Sequence, residues 1–73
     1  MTQAKYRMVI EWSDEDQCFV VSLPEFEAVM QPVTDGQTYE EAAKHGQEAL
    51  ESLIEFYQAE GLTLPVPQTL QVA

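Results

Sequence analysis

The chain has 73 residues, 45% of them hydrophobic and 10% aromatic, with three basic residues against thirteen acidic ones and a formal net charge of −10. That charge is repelled by phosphate and excludes non-specific nucleic-acid binding. The apolar content exceeds what a disordered acidic tail carries. A chain this short buries only about 60% of its unfolded surface, so one domain over residues 1–73 is expected, with self-association as its usual support.

Residues 5–13 (KYRMVIEWS) alternate, with Tyr6, Met8, Ile10 and Trp12 on one strand face and Lys5, Arg7, Val9 and Glu11 on the other. A second β-rich run, 18–23 (CFVVSL), places Phe19, Val21 and Leu23 together. The intervening Asp14-Glu15-Asp16-Gln17 reads as a four-residue hairpin loop. Opposing Ser13 with Cys18 pairs Trp12 with Phe19, Ile10 with Val21 and Met8 with Leu23. This register collects every large residue of both strands on one side.

Pro24 has no N–H to donate and ends the second strand, and Glu25-Phe26-Glu27 forms a turn. Residues 28–34 read as a third, edge strand because they contain Pro32, and Asp35-Gly36-Gln37 as the next turn. Thr38 with Glu41 three residues on is a capping box that opens a helix over 39–60. Ala42, Gly46, Ala49, Leu50, Leu53, Ile54 and Tyr57 form its apolar stripe, and Gly61 is its left-handed terminus. Gly46 is expected where helix and sheet approach closely. Leu64-Pro65-Val66-Pro67 is an extended connector, and residues 69–72 (TLQV) are a short fourth strand.

The resulting class is α+β: a single β-β-β-α-β domain with one long helix on one sheet face. A right-handed crossover brings the fourth strand beside the first, in the order 3-2-1-4. Trp12, Phe19, Ile10, Val21, Leu50, Leu53 and Ile54 are the expected core, and Phe56, off the main stripe, the expected interface aromatic.

The residues offer little for catalysis. Nothing in this arrangement brings Cys18 to His45, so neither makes a nucleophile–base pair. His45, between Glu41 and Glu48 on the helix, reads as part of a solvated face. Asp14, Glu15 and Asp16 lack the glycine and the further ligands of a calcium loop. The lone Cys closes no intrachain disulfide, and no Cys/His cluster offers a zinc site. No apolar run approaches the roughly 20 residues of a membrane span. The start, MTQAKYRM, lacks the pattern of a secretory leader. No enzyme activity, cofactor, metal or membrane is expected, and the compartment is a reducing one, the cytoplasm.

The run YRMVIEWSDEDQCFVVSLPEF, then GQTYEEAAKHGQEALESLIE, then LPVP, resembles the HicB-type antitoxin family. The matching elements are Pro24-Glu25 at the end of the second strand, Gly36-Gln37-Thr38-Tyr39-Glu40-Glu41-Ala42 opening the helix, and Pro65-Val66-Pro67 after it. The resemblance spans about residues 5–72 and implies a partial RNase H-like fold. It implies a partner, a small basic HicA-type RNase toxin that the antitoxin occludes, and assembly into dimers or tetramers. Many members add a C-terminal DNA-binding domain; this sequence ends at Ala73 without one, so no direct nucleic-acid contact is expected. Glu27-Ala28 stands where the family often has Pro-Gly. The catalytic histidine of such pairs belongs to the toxin, and His45 inherits no role. The residues expected to receive a basic partner are Glu25 and Glu27 on the turn, with Asp14, Glu15 and Asp16 at the hairpin tip. A stand-alone oligomeric adaptor without a toxin is the competing reading.

Overall fold

The structure, a computed structural model, describes residues 5–70. Strands β1 (Val9–Ser13), β2 (Cys18–Ser22) and β3 (Thr34–Gly36) form one antiparallel sheet in the order β1-β2-β3, followed by the helix α1 (Tyr39–Ala59). The domain is therefore α+β, with the first three strands in the expected order. No fourth strand is present among the described residues. Residues 62–70 form no strand, and the expected strand over 69–72 lies partly outside the described residues.

The hairpin register is the one set by the hydrophobic pattern: Ser13 opposes Cys18, Trp12 opposes Phe19 and Ile10 opposes Val21. The ladder stops at Val9 and Ser22, so Met8 and Leu23 are not a ladder pair. The reason is chemical. The next pair would need an N–H from Pro24, which has none. The Arg7 N–H turns instead to the Glu25 carboxylate, at 3.3 Å from Oε1 and 3.2 Å from Oε2. Met8 still packs against the buried cluster of Leu23, Phe26 and Leu50.

The third strand differs from expectation. It keeps only Thr34 of the expected residues 28–34 and runs on through Asp35 and Gly36, where a turn is expected; residues 28–33 are not in a strand. The cause is the Gln31 side chain. Its Oε1 accepts from the Leu23 N–H at 2.9 Å, and its Nε2 donates to the carbonyls of Leu23 at 3.0 Å and Phe26 at 3.1 Å. One primary amide thus supplies the donor and acceptor that a neighbouring strand would offer Leu23. The chain loops out until Val33 N–H reaches the Val21 carbonyl at 2.9 Å.

Helix α1 begins at the expected Thr38 cap, but the return bond of Glu41 goes to Gln37, one residue before the N–H of Thr38 that a capping box uses. Thr38 has extended backbone angles, its Oγ1 accepts from Glu41 N–H at 3.0 Å, and Glu41 Oε1 accepts from Gln37 N–H at 2.7 Å. At the other end Gly61, at φ +67°, sets up the paired bonds of a Schellman terminus: Gly61 N–H to Gln58 O at 3.2 Å, and Leu62 N–H to Tyr57 O at 2.8 Å.

The helix packs chiefly over β3 and β2 and least over β1. This corrects the expected core. Val21 and Leu50 are buried, Leu53 and Ile54 pack at the edge, and the centre is Leu23 and Phe26. Trp12, on the uncovered strand, is 49% exposed. Two glycines allow the close packing. A Cβ on Gly46 would lie 2.7 Å from Met8 Sδ and 3.0 Å from Val21 Cγ1, the close approach of helix and sheet expected there. A Cβ on Gly36 would lie 2.7 Å from Ala42 Cα and 2.9 Å from the Glu41 carbonyl carbon.

These neighbours differ in kind, and the two sites should respond differently to alanine. Gly36→Ala meets backbone that cannot yield and should destabilise the fold by about 2 kcal/mol or more. Gly46→Ala meets mainly the end of a flexible methionine and gains about 1 kcal/mol of helix propensity, so its net change should stay within about 1 kcal/mol. Urea denaturation of both variants checks the ordering, and a Gly46→Ala loss exceeding that of Gly36→Ala would contradict it.

Candidate functional site

The turn after β2 is built from side chains pointing two ways. Phe26 is 1% exposed and faces inward, with its ring centroid 4.9 Å from Tyr6 and 5.5 Å from Tyr57. Glu25, expected at the surface as a receiving acid, is 9% exposed. Its Oε2 accepts from the Gln68 N–H at 2.9 Å and lies 3.5 Å from Arg7 Nε, in addition to the bonds from Arg7 N–H. Burial by itself raises the Glu25 carboxyl. The backbone N–H groups of Gln68, Arg7 and Glu25 itself, together with the Arg7 guanidinium, outweigh it and hold the carboxyl below the usual range. Glu25 is thus an internal clamp whose acceptors are occupied. It joins the approach to β1, the turn and the C-terminal segment, buried where a surface acid was expected.

Tyr6 reinforces the clamp by donating its hydroxyl to Pro65 O at 2.7 Å, and its own ionisation is pushed up by burial and by the Glu25 charge. Glu27, two residues beyond Glu25, is exposed. It lines two adjoining clefts. One, of about 480 Å³, has walls that include Arg7, Pro24, Val66 and Gln68; the other, of about 360 Å³, includes Tyr57, Leu62 and Thr63. Glu25 and Pro65 border both.

The hairpin tip stands apart from this turn, at the other end of β2. Asp14 Oδ1 accepts from Trp12 Nε1 at 2.9 Å, and Asp16 Oδ2 accepts from Ser13 Oγ at 3.0 Å. Gln17, at φ +54°, closes the loop with its N–H on Ser13 O at 2.8 Å and its Nε2 on Asp14 O at 2.6 Å. Asp14, Glu15 and Asp16 all remain exposed. The structure therefore brings the three tip acids together and separates them from Glu27.

His45 sits differently from its sequence reading. His45 Nδ1 lies 2.6 Å from the Asp35 carbonyl, so the ring donates to β3 and is half-buried rather than part of a solvated face. Cys18 is a buried free thiol whose ionisation is pushed up by burial and by Asp35 and Asp16, which is the reverse of an activated nucleophile. The sequence pattern did not reveal an aromatic row at the helix start. Trp12 stacks edge-on to Phe19 at 5.1 Å, and Phe19 lies 4.3 Å from Tyr39. The Trp12–Phe19 pairing foretold its first half; the place of Tyr39 follows only from how α1 sits on the sheet.

Among the described residues, no group of three or more His, Cys, Asp and Glu side chains is placed to hold a metal ion. No described helix is long and apolar enough to cross a membrane. Comparison with protein-family models, with curated proteins and with solved structures finds no match to this chain.

The clamp carries a pH signature. The folded Glu25 carboxyl sits below its unfolded value, so its stabilisation is present above the unfolded value near about pH 4.3 and is lost as pH falls through the depressed folded value. Glu25→Gln should cost about 1.5–3 kcal/mol at pH 7, the usual worth of hydrogen bonds to a charged group. The wild type and the variant should converge in acid. Denaturation at both pH values measures this, and a difference that stays constant or grows in acid would contradict the assignment.

Proposed function

We propose that this chain is an antitoxin-like binding protein that neutralises a small basic RNase toxin of the HicA type by occluding it, with no catalysis of its own. The observation that carries the reading is a net charge of −10 displayed partly on two exposed acidic stations, Glu27 beside the clefts and Asp14, Glu15 and Asp16 at the hairpin tip. Complementary charge steers a basic partner and raises its association rate. The resemblance through Pro24-Glu25, the Gly36–Ala42 helix start and Pro65-Val66-Pro67 supports the same reading. With Glu25 committed inside the fold, Glu27 is the acid of that turn that receives the partner.

The proposal places the protein in the cytoplasm as a homo-oligomer, a dimer or tetramer. Exposed Trp12 and Phe56, the latter 56% exposed, support self-association. They also favour the second reading, a stand-alone oligomeric adaptor without a toxin.

The experiment is association kinetics with a basic HicA-type RNase at several salt concentrations. Glu27→Lys combined with Glu15→Lys should lower the on-rate about tenfold at low salt and flatten its salt dependence, with the circular-dichroism spectrum unchanged. An unchanged on-rate in that variant would remove these stations. Absence of binding by the wild type would leave the adaptor reading in its place.

A further inference from the structure

The sheet has two outer edges of unequal character. On β3 the edge is three residues long, and its Asp35 carbonyl is taken by His45. On β1 the edge is five residues long, and among the described residues no strand pairs with it. The backbone parity of β1 follows from two bonds. Arg7 N–H turns inward to Glu25, and the Ser13 carbonyl turns inward to Gln17. Since a strand alternates, the odd residues face β2, and Met8, Ile10 and Trp12 offer their N–H and C=O groups to the open side. Such an edge is a template for another strand.

Charge says which strand. Two of the chain's three basic residues, Lys5 and Arg7, precede β1, while Glu11 lies within it and Asp14, Glu15 and Asp16 follow it. A segment basic at its start and acidic at its end is complementary to its own antiparallel copy. We propose that the outer edge of β1 pairs with the same edge of a second copy of this chain, antiparallel about a two-fold axis at Val9, with Arg7 of each copy opposite Glu11 of the other. This inference rests on the self-association proposed above and identifies its surface.

Among centres within β1, charge favours Val9. Centring on Glu11 sets two carboxylates face to face, which is unfavourable, and centring on Ile10 places Glu11 against Val9. Centring on Val9 makes Arg7–Glu11 a non-hydrogen-bonded pair on each side of the axis, where cross-strand side chains come closest. Arg7 has the capacity. Its side chain is 54% exposed, and only Nε is engaged with Glu25, at 3.5 Å. On the helix side the same register puts Met8 opposite Ile10 and Tyr6 opposite Trp12. The half-exposed Trp12, which α1 leaves bare, is covered, and the two sheets join into one of six strands with both helices on the same face. The symmetric, isologous contact closes at two copies.

Cross-linking and sedimentation test it in the full chain. At the axis, Val9→Cys should oxidise to a covalent dimer in high yield, because its Cβ atoms come within about 4.5–5.5 Å. The wild type, whose Cys18 is buried, should not cross-link, nor should Glu11→Cys, which faces Arg7. Glu11→Lys should raise the dimer dissociation constant about tenfold or more. A wild-type monomer at micromolar concentration would overturn both the self-association and this surface. A wild-type dimer that Val9→Cys does not trap, or that Glu11→Cys traps better, would overturn this surface alone and leave self-association standing.

Discussion

A single buried carboxylate ties both ends of this chain to its centre. Glu25 accepts from the backbone of Arg7, 18 positions before it, and of Gln68, 43 positions after it. Neither segment belongs to the sheet ladder, and this acceptor joins both to the turn after β2. Its neighbour Phe26 does the complementary apolar work, contacting Tyr6 from the first segment and Tyr57 from the helix. The turn between β2 and β3 is therefore the hub of the domain rather than a connector. A core of this size gains much from such a tie, since ordering two terminal segments costs conformational entropy that a few apolar contacts do not repay.

The same turn shows how side chains replace backbone where the ladder ends. Pro24 removes the donor that would extend β1–β2, and Glu25 takes up the Arg7 N–H left over. Gln31 plays the part of a strand for Leu23 until β3 begins. Every buried polar side-chain atom among the described residues has a hydrogen-bond partner, which matters in a core with little apolar area to spare.

What was legible in the sequence was local. The hairpin register followed from two-residue periodicity, the helix start from Thr38 and Glu41, its end from Gly61, and the close helix–sheet approach from a glycine inside a helical stripe. What was not legible depended on distant groups. Nothing in Pro24-Glu25-Phe26-Glu27 says that the first acid turns inward and the second outward; that follows from where Arg7 and Gln68 arrive. The displacement of β3 to Thr34–Gly36 depended on one amide eight residues from the backbone it mimics. Trp12 carries the pattern of a core residue and is exposed because α1 lies over the far side of the sheet. Of the expected site residues, Asp14, Glu15, Asp16 and Glu27 are exposed and Glu25 is buried.

One carboxylate thus builds the platform, and its acidic neighbour Glu27 stays exposed on the same turn. The direct measurement is native-state hydrogen exchange of the Arg7 and Gln68 amides, in the wild type and in Glu25→Gln. Both amides should be protected in the wild type and should lose protection together in the variant, while the Leu50 amide keeps most of its own. Protection of Gln68 that survives the loss of the carboxylate, or two amides that exchange independently of each other, would contradict the account.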